Sequence, residues 1–204
     1  MAGGYNERMP RGEEMNSAAP GVKLTYDDFL LFPDDGKRHE LIDGEHYVTP
    51  SPASVHQRIV GNIYFSLRRF LEMHPVGEAF LAPFDVVFGV HDVVEPDLLY
   101  ISASRREEIL TKLHVRGVPD LVVEVGSPGT RKRDETIKRR LYERTGVREY
   151  WVVDPELEVV RLYRRDETGY GRPNELTREA GDILTSEVID GFKLPLADIF
   201  RMPA

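Results

Sequence analysis

Between residues 54 and 73, apolar side chains recur at Ile59, Val60, Ile63, Leu67, Phe70 and Leu71, spacings near three and four that line one stripe of a helix. The loop TPSPAS precedes it, so the helix is expected to start close to residue 54 and to lay that stripe on a sheet. Elsewhere the pattern changes. LVVEV (121–125) and YWVV (150–153) are short continuous apolar runs, as expected of strands covered on both faces. The segment from about 132 to 145 has helical character and lies between them. Strand, helix and strand therefore predict a βαβ crossover with parallel strands.

Shorter signals fill in the rest. LTYDDFLLFP predicts a short helix capped by Thr25, with Asp28 three residues on and Pro33 as its stop. KRHELIDGEHYVTP reads as a hairpin turning at Asp43-Gly44. Two or three strands are expected over 77–88 and 94–101, broken by the turn GVHD. SRREEILTKLHVRG predicts a short helix or an irregular connection. VVRLYRR is a strand entered by a turn at Asp154-Pro155, and the chain closes with short strands and a helical turn near LADIF. The class is mixed α/β.

Length and composition then narrow the picture. A chain of 204 residues suits one domain, read as 22–204, behind a Gly/Pro-punctuated polar leader at 1–21 expected to be disordered. No stretch approaches the ~18 consecutive apolar residues of a membrane span. A cytoplasmic protein that binds no membrane is expected. With no cysteine, thiolate metal sites and cysteine nucleophiles are excluded, so any metal must bind through oxygen or imidazole. The net charge of −8 opposes generic attraction to nucleic acid. Yet residues 131–148 hold eight basic residues against three acidic ones, a basic segment whose ordinary reading is a solvated helix face.

Glu124 is the anomaly in this pattern, because an ionised carboxylate in a doubly covered strand is costly unless it is paired or binds a cation. A strand end near water, or an ion pair with arginine, is the plain alternative. Asp120, in VPDLVVEV, points to the same face, but four strand steps set the two backbones ~13 Å apart. One magnesium ion binds oxygens at ~2.1 Å, so its carboxylates must lie close together. A neighbouring strand brings Cβ atoms to ~5 Å. VVEPDLLYIS supplies Asp97 at the start of such a strand, which leaves Asp120 to cap its own strand's entry.

The pieces RHELIDGEHYVTPSPASVHQ, EPDLLYIS, VPDLVVEVGSPGTRKRDETIKRRLYERTGVREYWVVDP and VIDGFKLPLADIF, in this order, resemble the Uma-type restriction endonucleases of the PD-(D/E)XK nuclease superfamily. The resemblance covers nearly everything after residue 24. It implies a restriction-endonuclease-like mixed β-sheet flanked by helices, with a divalent-metal site at one end and Mg²⁺, or Mn²⁺ in its place, as cofactor. It says much less about which nucleic acid is cut; the leading expectation is phosphodiester hydrolysis, of DNA above RNA, with the 5′-phosphate product that the resemblance implies.

The superfamily pattern puts a lysine two residues past its second acid, where this chain has Gly126. The resemblance moves that role to Lys138 on the following helix. Spacing agrees, since Lys138 shares a face with Leu141 and Tyr142, unlike Arg139 and Arg140. A lysine that only covers apolar surface remains the alternative. The resemblance also assigns Glu40 as an accompanying acid, against a plain surface position, and His56 as a group orienting phosphate or water, against a helix cap. Asp97 and Glu124 would hold the metal, with Glu40 as a third candidate ligand. Arg131, Lys132 and Arg133 are candidates for phosphate contact. Ser127 and Thr130 are expected to turn the chain into the helix, and Tyr150 and Trp151 to lie in the core. The remaining histidines show no metal-ligand spacing. A homodimer would serve the cutting of two strands. The rival reading is a nucleic-acid-binding or regulatory protein that keeps the nuclease fold without catalysis.

Overall fold

The computed structural model describes residues 22–202 apart from 50, 128 and 130. The leader read at 1–21, Thr130 and the side chain of Arg131 lie outside the described residues. The first helix, α1 (Tyr26–Phe29), carries the reciprocal cap expected of Thr25 and Asp28, and it stops ahead of Pro33. Strands β1 (Arg38–Ile42) and β2 (Glu45–Thr49) form the predicted hairpin. Asp43 and Gly44 hold it with φ of 52° and 79°, the left-handed pair that a two-residue turn matching strand twist requires.

Helix α2 (Ser54–Met73) buries Ile59, Ile63, Leu67 and Leu71 and leaves Phe70 half-buried. After it come β3 (Gly77–Leu81), β4 (Val86–Gly89), β5 (Asp92–Val94) and β6 (Leu98–Ser102), then the short helix α3 (Arg106–Ile109), β7 (Val115–Arg116) and β8 (Leu121–Val125). The crossover runs through α4 (Arg131–Arg133), a π-helical turn (Asp134–Lys138) and α5 (Arg139–Thr145). It delivers β9 (Glu149–Asp154), followed by β10 (Val159–Asp166), β11 (Gly169–Tyr170), β12 (Asn174–Thr177), β13 (Ile183–Thr185), β14 (Lys193–Pro195) and the terminal α6 (Leu196–Ile199).

The strands divide between two main sheets, where the sequence suggested one. The larger runs β11-β10-β9-β8-β6-β3, with β12 beside β10; the smaller runs β2-β1-β5-β4-β7. β13 and β14 pair separately. Pro83 marks the division, because a residue without an N–H cannot continue a ladder. β3 ends before it in the larger sheet, and β4 begins after it in the smaller. β8 and β9 are parallel, as the crossover requires, while β6 meets β8 antiparallel.

β8 is buried throughout, and its alternation sorts two environments. Leu121, Val123 and Val125 pack with the α2 stripe, whereas Val122 packs with Leu141 and Tyr142 of α5 and with Ile42 of β1. Trp151 and Tyr150, both fully buried, divide in the same way on β9. Glu124 is in phase with Val122. It therefore faces the crossover helix and the smaller sheet, not α2.

Candidate active site

Four segments bring their charged groups to one place. Glu40 is in phase with Ile42 on β1 and so turns toward the core shared by the two sheets. Asp97 closes the three-residue link from β5 to β6. Because Leu98 is paired with Val123, the antiparallel register sets Asp97 opposite Glu124. Lys138 ends the π-helical turn. All four are buried, at 1%, 3%, 3% and 3% exposure for Glu40, Asp97, Glu124 and Lys138. Burial on that scale rules out the surface alternatives for Glu40 and Glu124.

Lys138 binds the acids together. Its Nζ donates to Glu40 Oε1 at 2.7 Å and to Glu124 Oε1 at 2.8 Å. Tyr142, one turn on, donates its hydroxyl to the same Glu124 oxygen at 2.7 Å. Glu40 Oε1 also accepts the Glu95 N–H at 3.1 Å. Its Oε2 is buried without a hydrogen bond among the described residues, with the Arg133 guanidinium 3.7 Å away. Asp97 is fully engaged. Arg38 Nη1 donates to its Oδ1 at 2.7 Å, while His56 Nε2 at 2.9 Å and the Val125 N–H at 2.8 Å reach Oδ2.

The electrostatics follow from this crowding. Burial, reinforced by the Asp97 and Glu40 charges and opposed by Lys138, pushes the Glu124 carboxyl above its usual range. For Glu40 burial is outweighed by Lys138 and Arg133, which hold it low. Burial acts against Asp97 too, yet His56 and Arg38 bring it down to about 2. Lys138 would be depressed by burial alone, but Glu124 and Glu40 raise it. Burial and the nearby Asp85 and Glu40 charges push Glu95 up to about 7.

A cavity of about 180 Å³ opens at this cluster, walled by Arg38, His56, Asp97, Glu124, Arg133 and Lys138 among others. It adjoins a second of about 420 Å³ that shares Arg38, Thr49, His56 and Asp97 with it. A cavity of about 430 Å³ between α2 and residues 192–201 touches none of the four charged groups.

The other expected residues fall unevenly. His56 sits in the first turn of α2 but does not cap it, since Ala53 holds the N-cap position without a side-chain bond. Its Nδ1 is buried and has no hydrogen-bond partner among the described residues. Arg133 does not face solvent as a basic run suggests: it is buried, donating to Thr49 Oγ1 at 2.6 Å and lying over the Tyr47 ring. Lys132 is exposed, and Ser127 lines the smaller cavity. Asp120 lies away from the cluster at the entry to β8, fully buried, where it accepts the Ser102 N–H and the Arg105 guanidinium at 2.9 and 3.2 Å. Arg38, Thr49 and Glu95 escaped the sequence reading. Arg38 was within reach of it, because Arg38, Glu40 and Ile42 alternate onto one face of β1.

Hard carboxylate oxygens are the donors that magnesium or manganese takes. The orphaned Glu40 Oε2 and the mutually repelling acids give an added cation something to satisfy. The donor set fits, with one condition. Among the described residues no three acids or histidines are drawn tightly enough to enclose an ion, because Lys138 and Arg38 already hold the carboxylates.

A crystal structure described as that of a putative nuclease belonging to DUF820, from Anabaena variabilis ATCC 29413, shares the fold with a TM-score of 0.73. The two are 21% identical, over 87% of this chain and 97% of that one. A search of curated proteins returned no match. The family model Uma2, described as "Putative restriction endonuclease", matches residues 26–197. That span takes in both main sheets, the crossover helix and all four charged groups, and the chain belongs to the Uma2 family.

Proposed function

We propose that this chain is a divalent-metal-dependent endonuclease that hydrolyses phosphodiester bonds, in DNA above RNA. The observation that carries the proposal is the meeting of Asp97, Glu124 and Lys138, from three separate segments, at the wall of one cavity, with Glu40 from a fourth bound to the same Lys138 ammonium. Asp97 and Glu124 would hold Mg²⁺ or Mn²⁺, with Glu40 as the third oxygen donor. Such an ion supplies charge neutralisation at a phosphoryl oxygen and acidifies a water molecule.

The chain's own groups do the rest. Lys138 keeps Glu40 and Glu124 aligned, and its ammonium can orient the attacking water or stabilise charge developing on the phosphate. His56 and the Val125 N–H fix Asp97 from two elements, so its carboxylate is held before substrate arrives. Lys132, exposed at the start of the crossover helix, would meet backbone phosphates. The water oxygen bonds to phosphorus as the 3′-oxygen leaves, giving a 5′-phosphate and a 3′-hydroxyl. Cutting both strands of a duplex would bring two copies of the chain together.

The test incubates purified protein with duplex and single-stranded DNA and RNA, in Mg²⁺, Mn²⁺ or EDTA, beside Asp97→Ala and Lys138→Ala. Metal-dependent cutting by the wild type and its loss in both variants is expected; cutting that survives both substitutions defeats the site. A second reading has one observation in its favour, the closure of the acids by Lys138 and Arg38. In it the chain binds nucleic acid without cutting, and calorimetry then gives salt-dependent binding with no Mg²⁺ signal.

A further inference from the structure

Asp97 is held by three donors that differ in how easily they can leave. The Val125 N–H belongs to a fully buried strand, and His56 is fixed in the first turn of a 20-residue helix. Arg38 is different. Its side chain keeps 21% of its surface exposed, lines both adjoining cavities, and among the described residues makes one further hydrogen bond, a 3.4 Å approach to the Glu95 carbonyl. Among the described residues, Asp97 Oδ1, the oxygen Arg38 covers, receives no other hydrogen bond. A planar guanidinium is also well matched to phosphate, which it can bind through two parallel N–H donors.

We propose that Arg38 is an exchangeable plug on the metal side of Asp97, which moves to the phosphate of an incoming nucleic acid and frees Oδ1 for a divalent cation. The inference rests on the nuclease reading above and deepens it, because it makes metal and substrate bind with mutual reinforcement. Without substrate, an ion must displace a guanidinium from a buried carboxylate. With substrate in the cavity, the guanidinium has an alternative anion and the acid is released. Linkage makes the effect reciprocal, so metal must tighten substrate by the same factor as substrate tightens metal.

The experiment reads free Mn²⁺ by electron paramagnetic resonance, with the full chain, in the presence and absence of a short phosphorothioate DNA duplex; the duplex alone is the control. The duplex should tighten Mn²⁺ binding to the wild type by about tenfold. Arg38→Met should bind Mn²⁺ more tightly than the wild type without DNA, and the gain on adding duplex should shrink correspondingly. Arg38→Lys, which restores a cation lacking the forked donors, should fall between the two. Absence of duplex-induced tightening in the wild type overturns the inference without reference to any variant. Equal Mn²⁺ affinity and equal duplex gain in wild type and Arg38→Met overturn it while leaving a metal-dependent nuclease standing. No Mn²⁺ binding to any of the proteins, with or without duplex, overturns both this inference and the nuclease reading.

Discussion

Lys138 Nζ lies 2.8 Å from Glu124 Oε1, both groups buried and fourteen residues apart, one on the crossover helix and the other on the strand before it. The same ammonium reaches Glu40 on the other sheet, so a single positive charge ties three elements together. Removing it should cost stability as well as activity. For Lys138→Met we expect a loss of about 3–5 kcal/mol in urea denaturation, since two buried carboxylates lose their partner. Combining it with Glu124→Gln should cost less than the sum of the single changes, with a coupling of about 1–3 kcal/mol. Strictly additive losses would show that the pair is not coupled.

The strand pattern was enough to single out Glu124 and to reject Asp120 on distance, and the helical face shared by Lys138, Leu141 and Tyr142 pointed the lysine at the right strand. These are local regularities, fixed by the rise of a strand and the pitch of a helix. The π-helical turn was not legible, because it depends on what the crossover packs against: Asp134 and Lys138 are both buried, and Tyr150 donates to the Asp134 carbonyl at 3.0 Å. Nor was the burial of Arg133, which follows from Thr49 and Glu40 lying across the fold. The split into two sheets at Pro83 depends on which ladder each side of the break joins, a choice made by tertiary pairing.

Asp97 and Asp120 offer a direct contrast, as both follow a proline, both are buried, and only Asp97 is at the cavity. Asp120→Asn should weaken the hold on Arg105 and lower the melting temperature while Mn²⁺ binding persists. Asp97→Asn should abolish Mn²⁺ binding. Paired melting curves and Mn²⁺ titrations on the two variants decide the matter; loss of metal binding in Asp120→Asn alone would reverse the assignment.

Gly77 begins β3 opposite Ser102, and a Cβ there would press into the Ile101 carbonyl and the Tyr100 ring. Tyr100 has little room to yield, being fully buried with its hydroxyl donating to the Val76 carbonyl at 2.9 Å. Gly77→Ala should therefore destabilise the protein by about 1–3 kcal/mol, as overpacking does in other well-filled interiors. Denaturation in urea checks it, with the midpoint moving and the slope unchanged.

Lys132 and Arg133 are adjacent in sequence and opposite in setting, so a phosphate contact can be tested apart from structural support. Lys132 is exposed, so Lys132→Ala should leave stability within about 0.5 kcal/mol of the wild type. If it meets a phosphate, its removal should weaken DNA binding at every sequence and flatten the salt dependence by roughly one unit of slope. Arg133 is buried against Thr49, Glu40 and the Tyr47 ring. Arg133→Ala should instead lower stability by about 1–3 kcal/mol, because it strands the Thr49 hydroxyl and removes the guanidinium 3.7 Å from Glu40 Oε2. Fluorescence anisotropy over a salt series, alongside thermal melts, measures both. An unchanged salt slope in Lys132→Ala would take that residue out of the phosphate contact, and an unchanged melt in Arg133→Ala would remove its structural role.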